Sequence, residues 1–205
     1  MLKVLGRVTS INVRKVLWAL DELGLAYDRE DWGLPLRDPK VPEFLALNPN
    51  GQVPVLTEGD FVLWESNAIL VYLAEREGGL LPEQLELRAL ALQWLGWQAS
   101  EFNESWGYAV RALIRKLPGY DDPALIAGSM ARWTEKMEIL EAALAGANTG
   151  YIGAGFSIAD IVLGLSVHRW MMIATEKKEF PAVADYYERL MSREAGARWM
   201  GPETP

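Results

Sequence analysis

The 205-residue chain is predicted to form an α/β domain over residues 1–78 and an all-helical domain over residues 86–205. In the first part, short apolar runs of strand length alternate with longer segments whose apolar residues recur at helical spacing. The second part contains long helical patterns and no strand-like run. The change falls within "GGLLPEQ", residues 78–84, whose glycines and proline are typical of a connection between domains.

The first half of the α/β domain reads as strand, helix, strand. "LKVLG" is a short buried strand. In "NVRKVLWALDELG" apolar residues recur every three or four positions from Val13 to Leu23, which predicts a helix that ends at Gly24. "AYDRED" is the second strand.

The second half of this domain adds a helix, a strand pair and a final helix. Three prolines and a glycine between Trp32 and Pro42 predict a loop, and a short helix follows around "PEFLAL". The turn signal "NPNG" leads to two strands, "PVLTEG" and "FVLW", and to the helix "SNAILVYLAERE". The order β-α-β-α-β-β-α predicts a compact sheet with helices on both faces.

Three helices are predicted in the second domain. The first is long, extends to Leu113 and is apolar on two sides, so it must cover two neighbours. One of its apolar stripes contains Trp106, which either packs in the core or lines a ligand site. The other two helices cover residues 123–146 and 157–178.

The third of these helices carries two recognisable polar features. Ser157 and Asp160 stand at its start with the spacing of a capping box. His168, the one histidine of the chain, lies on an apolar stripe and is interpreted as a hydrogen-bonded interior residue.

Composition excludes several classes of function. The formal net charge of −8 argues against a nucleic acid partner. The absence of cysteine excludes disulfides, thiolate metal sites and a cysteine nucleophile. With a single histidine, a histidine-based metal cluster or a Ser-His-Asp triad is improbable, and no metal site is expected.

We expect a cytoplasmic protein that does not enter a membrane. No apolar run approaches the roughly eighteen residues of a spanning helix, and "MLKVLGRVTS" lacks the core of a signal peptide. The lack of cysteine also fits a reducing compartment.

The segment from Gln52 to Ser66 carries the first candidate site residues. Pro54 stands at the head of a strand, where it cannot donate to a ladder. If the Val53–Pro54 bond is cis, the backbone of Val53 is offered to an extended peptide; the alternative is an ordinary edge proline. Glu65 and Ser66 precede a helix, where Ser66 is either a simple N-cap or, with Glu65, reads the α-amino-acid end of a ligand.

A second group of candidates lies between the first strand and the first helix. Ser10 and Asn12 fall there, and a hydroxyl at this point could bond a ligand atom held near the positive end of the helix.

The order of these motifs resembles the glutathione S-transferase superfamily over nearly the whole chain. "SINVRKVLWALDELGLAY", "NPNGQVPVL" and "WESNAILVYLAE" resemble its thioredoxin-like glutathione-binding domain, and "FSIAD" resembles a helix start in its all-helical second domain. The resemblance implies a thioredoxin-like βαβαββα domain followed by a helical domain that carries the hydrophobic-substrate side of the cleft. It also implies glutathione as co-substrate, and a homodimer.

The resemblance assigns roles residue by residue. Val53, before Pro54, corresponds to the residue whose backbone pairs with the cysteinyl part of glutathione, and Glu65 and Ser66 correspond to the pair that binds its γ-glutamyl end. Ser10 corresponds to the thiolate-binding hydroxyl of serine-type classes, similar to theta, delta and nu. Asn12 matches a Thr/Ser-x-Asn pattern of some bacterial and fungal members.

The same loop leaves some alternatives open. Thr9 is a neighbouring hydroxyl that could replace Ser10. No tyrosine or cysteine occurs there, so the resemblance to tyrosine-type and cysteine-type classes stops at the fold.

Five further positions bear on the substrates. Gln52 stands where many relatives carry Lys or Arg near the glycyl carboxylate, so Lys40 or Arg37 is expected to supply the charge. Trp106 and Arg7 are candidates for contact with the electrophile. The implied activity is attack of the glutathione sulfur on an unidentified small electrophile; the alternative is a non-catalytic ligand-binding or scaffold protein of the same fold.

Overall fold

A computed structural model describes residues 1–201 of the chain. These residues separate into two compact units, one formed by Met1–Leu81 and one that begins at Pro82. Residues 202–205, the end of the predicted second domain, lie outside the described residues.

The first unit has the predicted order of strands and helices, which confirms the βαβαββα pattern. Its elements are β1 (Leu2–Leu5), α1 (Ile11–Glu22), β2 (Tyr27–Glu30), α2 (Pro42–Leu45), β3 (Val55–Glu58), β4 (Phe61–Trp64) and α3 (Ser66–Glu77). The sheet order is β2-β1-β3-β4. β1 runs parallel to β2 and antiparallel to β3, and β3 and β4 form an antiparallel pair.

Register explains how both faces of this sheet are buried. Leu5 pairs with Val55, and both pack with Phe44 of α2 on one face. The neighbouring pair, Val4 and Leu56, points to the opposite face because side chains alternate along a strand, and both residues are fully buried. The sheet is therefore covered on both sides.

The second unit is helical throughout its described residues, as predicted. Its elements are α4 (Leu85–Trp97), a π-helical segment (Gln98–Phe102), α5 (Asn103–Ser105), α6 (Gly107–Ala109), a second π-helical segment (Val110–Ile114), α7 (Pro123–Ala145), α8 (Ile158–Met171), α9 (Pro181–Met191) and α10 (Glu194–Trp199).

The prediction of one continuous helix to Leu113 is wrong. The helix is interrupted at Trp106, and Ser129 of α7 provides the cause. Its buried hydroxyl accepts from the N–H of Ala109 at 3.1 Å and donates to the C=O of Ser105 at 2.8 Å. A side chain thus occupies the place of a direct 109-to-105 backbone bond, a known origin of helix kinks.

The prediction that α8 extends to residue 178 is also wrong, because the helix ends at Met171 and α9 begins at Pro181. Pro is favoured in the first helical turn, which suits this start. The sequence pattern predicted no further helices after residue 178, and α9 and α10 were therefore missed.

Two predictions for α8 are confirmed. The capping box is present, with the Asp160 carboxylate accepting from the N–H of Ser157 at 2.8 Å. His168 is buried, and its Nδ1 lies 2.8 Å from the hydroxyl of Tyr187.

Within residues 1–201, no helix combines the length and the apolar character that a membrane crossing requires.

Candidate active site

The first unit contains a cavity of about 240 Å³. It lies where the start of α1, the loop before β3, the end of β4 and the start of α3 meet. The residues that line it are Asn12, Asn48, Asn50, Gln52, Val53, Pro54, Trp64, Glu65 and Ser66. Six of the predicted site residues are among these nine, although they come from three separate parts of the sequence.

The remaining predicted residues lie elsewhere. Thr9 and Ser10 precede α1 and are outside the lining, shortly before Asn12. Trp106 belongs to the second unit, where it is buried at 6% exposure between Trp133 and the guanidinium of Arg169. This burial favours the packing alternative, and a substrate contact for Trp106 stays a prediction.

The backbone at Val53 has the geometry anticipated from the sequence. The Val53–Pro54 peptide bond is cis, and Pro54 is buried immediately before β3. Within the described part of the chain, the N–H and C=O of Val53 have no hydrogen-bond partner. Val53, which lines the cavity, therefore has an unused backbone donor and an unused backbone acceptor.

Glu65 immediately precedes α3 and has a backbone conformation that is rare for its residue type. Its φ is +77°, in the region that favours glycine, and strain of this kind typically persists at functional sites. Its carboxylate accepts from the N–H of Asn67 at 3.3 Å. Glu65 is thus the N-cap, and the alternative that Ser66 is a simple N-cap is wrong: Ser66 is the first helical residue and is buried.

Ser10 stands at the N-cap of α1 but does not cap it. Its backbone is extended, as an N-cap requires, yet its side chain makes no capping hydrogen bond. Within residues 1–201 its hydroxyl has no partner. The neighbouring hydroxyl of Thr9 accepts from the guanidinium of Arg7 at 3.0 Å. Of the two hydroxyls, Ser10 is the one left available to a ligand.

Two buried cations near the start of α1 were not predicted. Arg14 and Lys15 are both almost fully buried, and the Lys15 ammonium donates to the Asn67 amide oxygen at 3.3 Å. This bond joins the second turn of α1 to the first turn of α3. The apolar periodicity of α1 carries no signal for it, because Arg14 and Lys15 fall between the residues that repeat.

Asn48 shapes the loop that carries Gln52 and Val53. Its buried amide donates to the C=O of Gln52 at 2.8 Å and accepts from the N–H of Asn50 at 3.0 Å. The signal "NPNG" predicted the turn but not this role, since a turn pattern does not say which side chain closes it.

Lys40 is not a lining residue but contacts one of them, Asn50. Its ammonium donates to the C=O of Asn50 at 2.7 Å, and its stem packs against Gly51. A Cβ on Gly51 would lie 2.7 Å from the Lys40 Cδ, and the φ of Gly51 is +58°, so both space and conformation require glycine there.

The alternative cation, Arg37, is engaged elsewhere. It bonds to Glu43 at 2.6 Å, lies 3.7 Å from Glu30 and stacks over Trp32 at 3.6 Å. Between the two candidates, Lys40 is the one that reaches a lining residue.

Among residues 1–201, no group of three or more His, Cys, Asp or Glu side chains is arranged to hold a metal ion. The polar side chains that line the cavity are four amides, one carboxylate, one hydroxyl and one indole.

The fold and the site together define a two-unit protein with a thioredoxin-like ligand-binding unit. A thioredoxin-like α/β unit with a cavity beside its cis-proline, followed by a helical unit, is the architecture that the sequence predicted.

Comparison with known proteins gives the family. The family model described as "Glutathione S-transferase, N-terminal domain" matches residues 1–75. Glutathione S-transferase GstB of Escherichia coli (strain K12) is 32% identical over 199 residues, covering 95% of each chain. The chain therefore belongs to the glutathione S-transferase superfamily.

Two other proteins extend the comparison. A theta class glutathione S-transferase from Xanthomonas axonopodis pv. citri, whose crystal structure has glutathione bound, is 35% identical with a TM-score of 0.93, covering 100% of this chain and 99% of the other. The disulfide-bond oxidoreductase YfcG of Escherichia coli (strain K12) is 29% identical over 90% of this chain and 87% of its own.

Proposed function

We propose that the chain is a glutathione transferase, which binds reduced glutathione in the cavity of the first unit and activates its thiol. The observation that carries the proposal is the convergence of Asn12, Val53, Glu65 and Ser66 on one cavity. The theta class relative with glutathione bound supports the identity of the ligand.

The polarity of the cavity suits the two ends of this tripeptide. The γ-glutamyl end carries an ammonium, which Glu65 pairs, and a carboxylate, which Ser66 and the first N–H groups of α3 bind. The cysteinyl backbone pairs with Val53 as a strand would. The glycyl carboxylate meets Gln52 and, at the rim, the ammonium of Lys40.

Thiol activation then depends on the start of α1. A free thiol has a pKa of about 8.5, and lowering it by about two units requires about 2.7 kcal/mol. A hydrogen bond to a charged group contributes about 1.5–3 kcal/mol and a helix start about 0.3–1 kcal/mol. The Ser10 hydroxyl, the Asn12 amide and α1 together reach this value, with Ser10 as donor rather than nucleophile.

The reaction is a nucleophilic substitution or addition. The thiolate forms a bond to an electrophilic carbon, the leaving group departs with its electron pair or the added electrons take a proton from water, and the original thiol proton is lost to solvent. The electrophile is a small organic molecule. We also propose a homodimer, as the resemblance implies, and a cytoplasmic location, as the composition suggested.

Calorimetry tests the binding step directly. Reduced glutathione titrated into the protein should release or absorb heat with saturation at or below millimolar ligand, and Glu65→Gln should weaken binding because the ammonium loses its partner. No heat at millimolar glutathione in several buffers would overturn the proposal.

A conjugation assay with a generic aromatic electrophile tests the chemistry. Turnover supports a transferase, whereas saturable binding without turnover would favour the non-catalytic ligand-binding alternative.

A second reaction of the same thiolate is favoured by the similarity to YfcG. Because the chain has no cysteine, the bound glutathione must itself attack a disulfide. Its sulfur forms a new S–S bond, the old one breaks, and the other half leaves as a thiolate. Reduction of a low-molecular-weight disulfide that exceeds the rate with free glutathione, with no conjugation, would support this reaction over transfer.

A further inference from the structure

Trp64, Glu65 and Ser66 line the same cavity although they are consecutive in sequence. Along a regular strand successive side chains point to opposite faces, so three neighbours cannot share one site. The left-handed backbone of Glu65 breaks this alternation where β4 ends and α3 begins. Across this turn, Trp64, Glu65 and Ser66 all remain lining residues of one cavity.

Trp64 and Phe61 lie at the two ends of β4 and are equally exposed, but their rings have different surroundings. Each residue is 42% exposed. Phe61 packs against Tyr72, with ring centroids 4.9 Å apart. Within the described residues the Trp64 side chain has no aromatic, cationic or hydrogen-bonding partner. Trp64, which lines the cavity, is therefore not held by another ring or cation as Phe61 is.

The charge of the cavity indicates what the ring meets. Of the nine lining residues, Glu65 alone carries a formal charge, and the polar remainder are amides and a hydroxyl. A carboxylate attracts an ammonium, and the face of an indole attracts the same group through its quadrupole, more strongly than any other aromatic ring. A carboxylate and an indole that line one cavity can together recognise an alkylammonium.

We propose that Trp64 is a specificity-determining residue of this site, which binds the α-ammonium of the γ-glutamyl end together with Glu65. The proposal rests on glutathione binding as proposed above and adds the residue that makes the site select a charged ammonium. It gives the strained Glu65 backbone a reason, because an unstrained residue there would turn the indole and the carboxylate to opposite sides.

The test compares glutathione with its des-amino analogue, in which a glutaryl group replaces the γ-glutamyl group. Calorimetry is performed on the wild-type protein, Trp64→Leu, Trp64→Phe and the control Phe61→Leu. Trp64→Leu should bind glutathione about threefold to tenfold more weakly while its affinity for the des-amino analogue stays within about twofold. Trp64→Phe should fall between, and Phe61→Leu should match the wild type.

The ratio of the two affinities is the deciding readout, and circular dichroism confirms that each variant is folded. If Trp64→Leu does not fold, Trp64→Phe alone decides, with an expected loss of selectivity of about twofold. Equal weakening of both ligands would mean that the ring only fills space, and unchanged binding would mean that it touches neither; either result overturns the role of Trp64 but leaves the proposed function standing. Absence of binding of both ligands to the wild-type protein would overturn the two together.

Discussion

Ser10 and Ser157 stand at the N-caps of α1 and α8 with extended backbones, yet they use their hydroxyls differently. Ser157 accepts from the N–H of Ala159 at 3.2 Å and is held in turn by Asp160. Ser10 makes no capping bond. At the start of α8, a serine side chain satisfies a free backbone N–H group. At the start of α1, the serine side chain does not.

The difference separates a structural helix start from one that can serve a ligand. N-cap side chains usually satisfy one of the free N–H groups of the first turn, which stabilises the helix. When the side chain is present and the bond is not, donors and acceptors remain for another molecule. Val53 shows the same property in its backbone, and both positions belong to the first unit.

The largest effect is expected at Asp160, in the satisfied helix start. Burial raises the pKa of Asp160 from its ordinary 3.8 to about 6. Since the folded-state value lies above the unfolded one, the contribution to stability is full below about pH 4 and is lost as the pH rises through about 6. The shift of about two units corresponds to about 3 kcal/mol. Asp160→Asn cannot ionise and should lack this decline.

Urea unfolding between about pH 4 and about pH 8 measures the difference. The control Asp122→Asn removes an exposed carboxylate that caps α7. Parallel curves for wild type and Asp160→Asn would contradict the expectation.

Next in size is the effect of Ser10→Ala on the bound thiol. Removal of a hydrogen bond to a thiolate should raise the pKa of bound glutathione by about one to two units, equivalent to about 1.5–3 kcal/mol, and should slow turnover at neutral pH accordingly. Stability should change by less than about 0.5 kcal/mol, because no cap is lost. Thiolate absorbance against pH, with Thr9→Ala as the matched control, measures this. A larger shift in Thr9→Ala would transfer the role to Thr9.

Ser157→Ala should have the opposite effect to Ser10→Ala: it should lower stability and leave ligand binding intact. Loss of the cap is expected to lower the free energy of unfolding by about 1 kcal/mol and to leave the affinity for glutathione unchanged. Chemical denaturation and calorimetry on the same preparation compare the two quantities. If Ser10→Ala and Ser157→Ala proved equally destabilising, the contrast between the two helix starts would fail.

The smallest effect is expected for Gln52→Lys, which adds a charge near the glycyl carboxylate. An exposed ion pair contributes about 0.2–1 kcal/mol and weakens with salt. Glutathione should bind slightly more tightly at low ionic strength, whereas its glycyl ester should gain nothing. An equal gain for the ester would show that the introduced ammonium acts on another part of the ligand.

The fold of the first unit could be predicted from sequence because its signals are local. Periodicity, prolines and glycines mark each element, and β2 falls at Tyr27–Glu30, inside the predicted strand. The interruption at Trp106 could not be predicted, since its cause is a hydroxyl on α7, 24 positions after the Ser105 carbonyl that it binds.

The residues of the site also fall into two groups, those that the sequence predicted and those that it did not. The residues around Pro54 and Glu65 stand in a recognisable order, and the structure brings them to one cavity. Asn48 and Trp64 escaped notice because a turn residue and a strand aromatic have ordinary explanations in a sequence. Lys15 escaped notice because a buried ammonium is visible only when the partner on another helix is known.

The hydroxyl of Ser129 has a consequence for how the helical unit can vary. At the interruption at Trp106, a hydroxyl from the neighbouring helix α7 takes the place of a backbone hydrogen bond of the segment. A change of one side chain on α7 can therefore straighten or redirect the preceding segment while every residue along that segment stays the same. The shape of the segment around Trp106 can therefore change through a substitution at residue 129, which is far away in sequence but in direct contact with it.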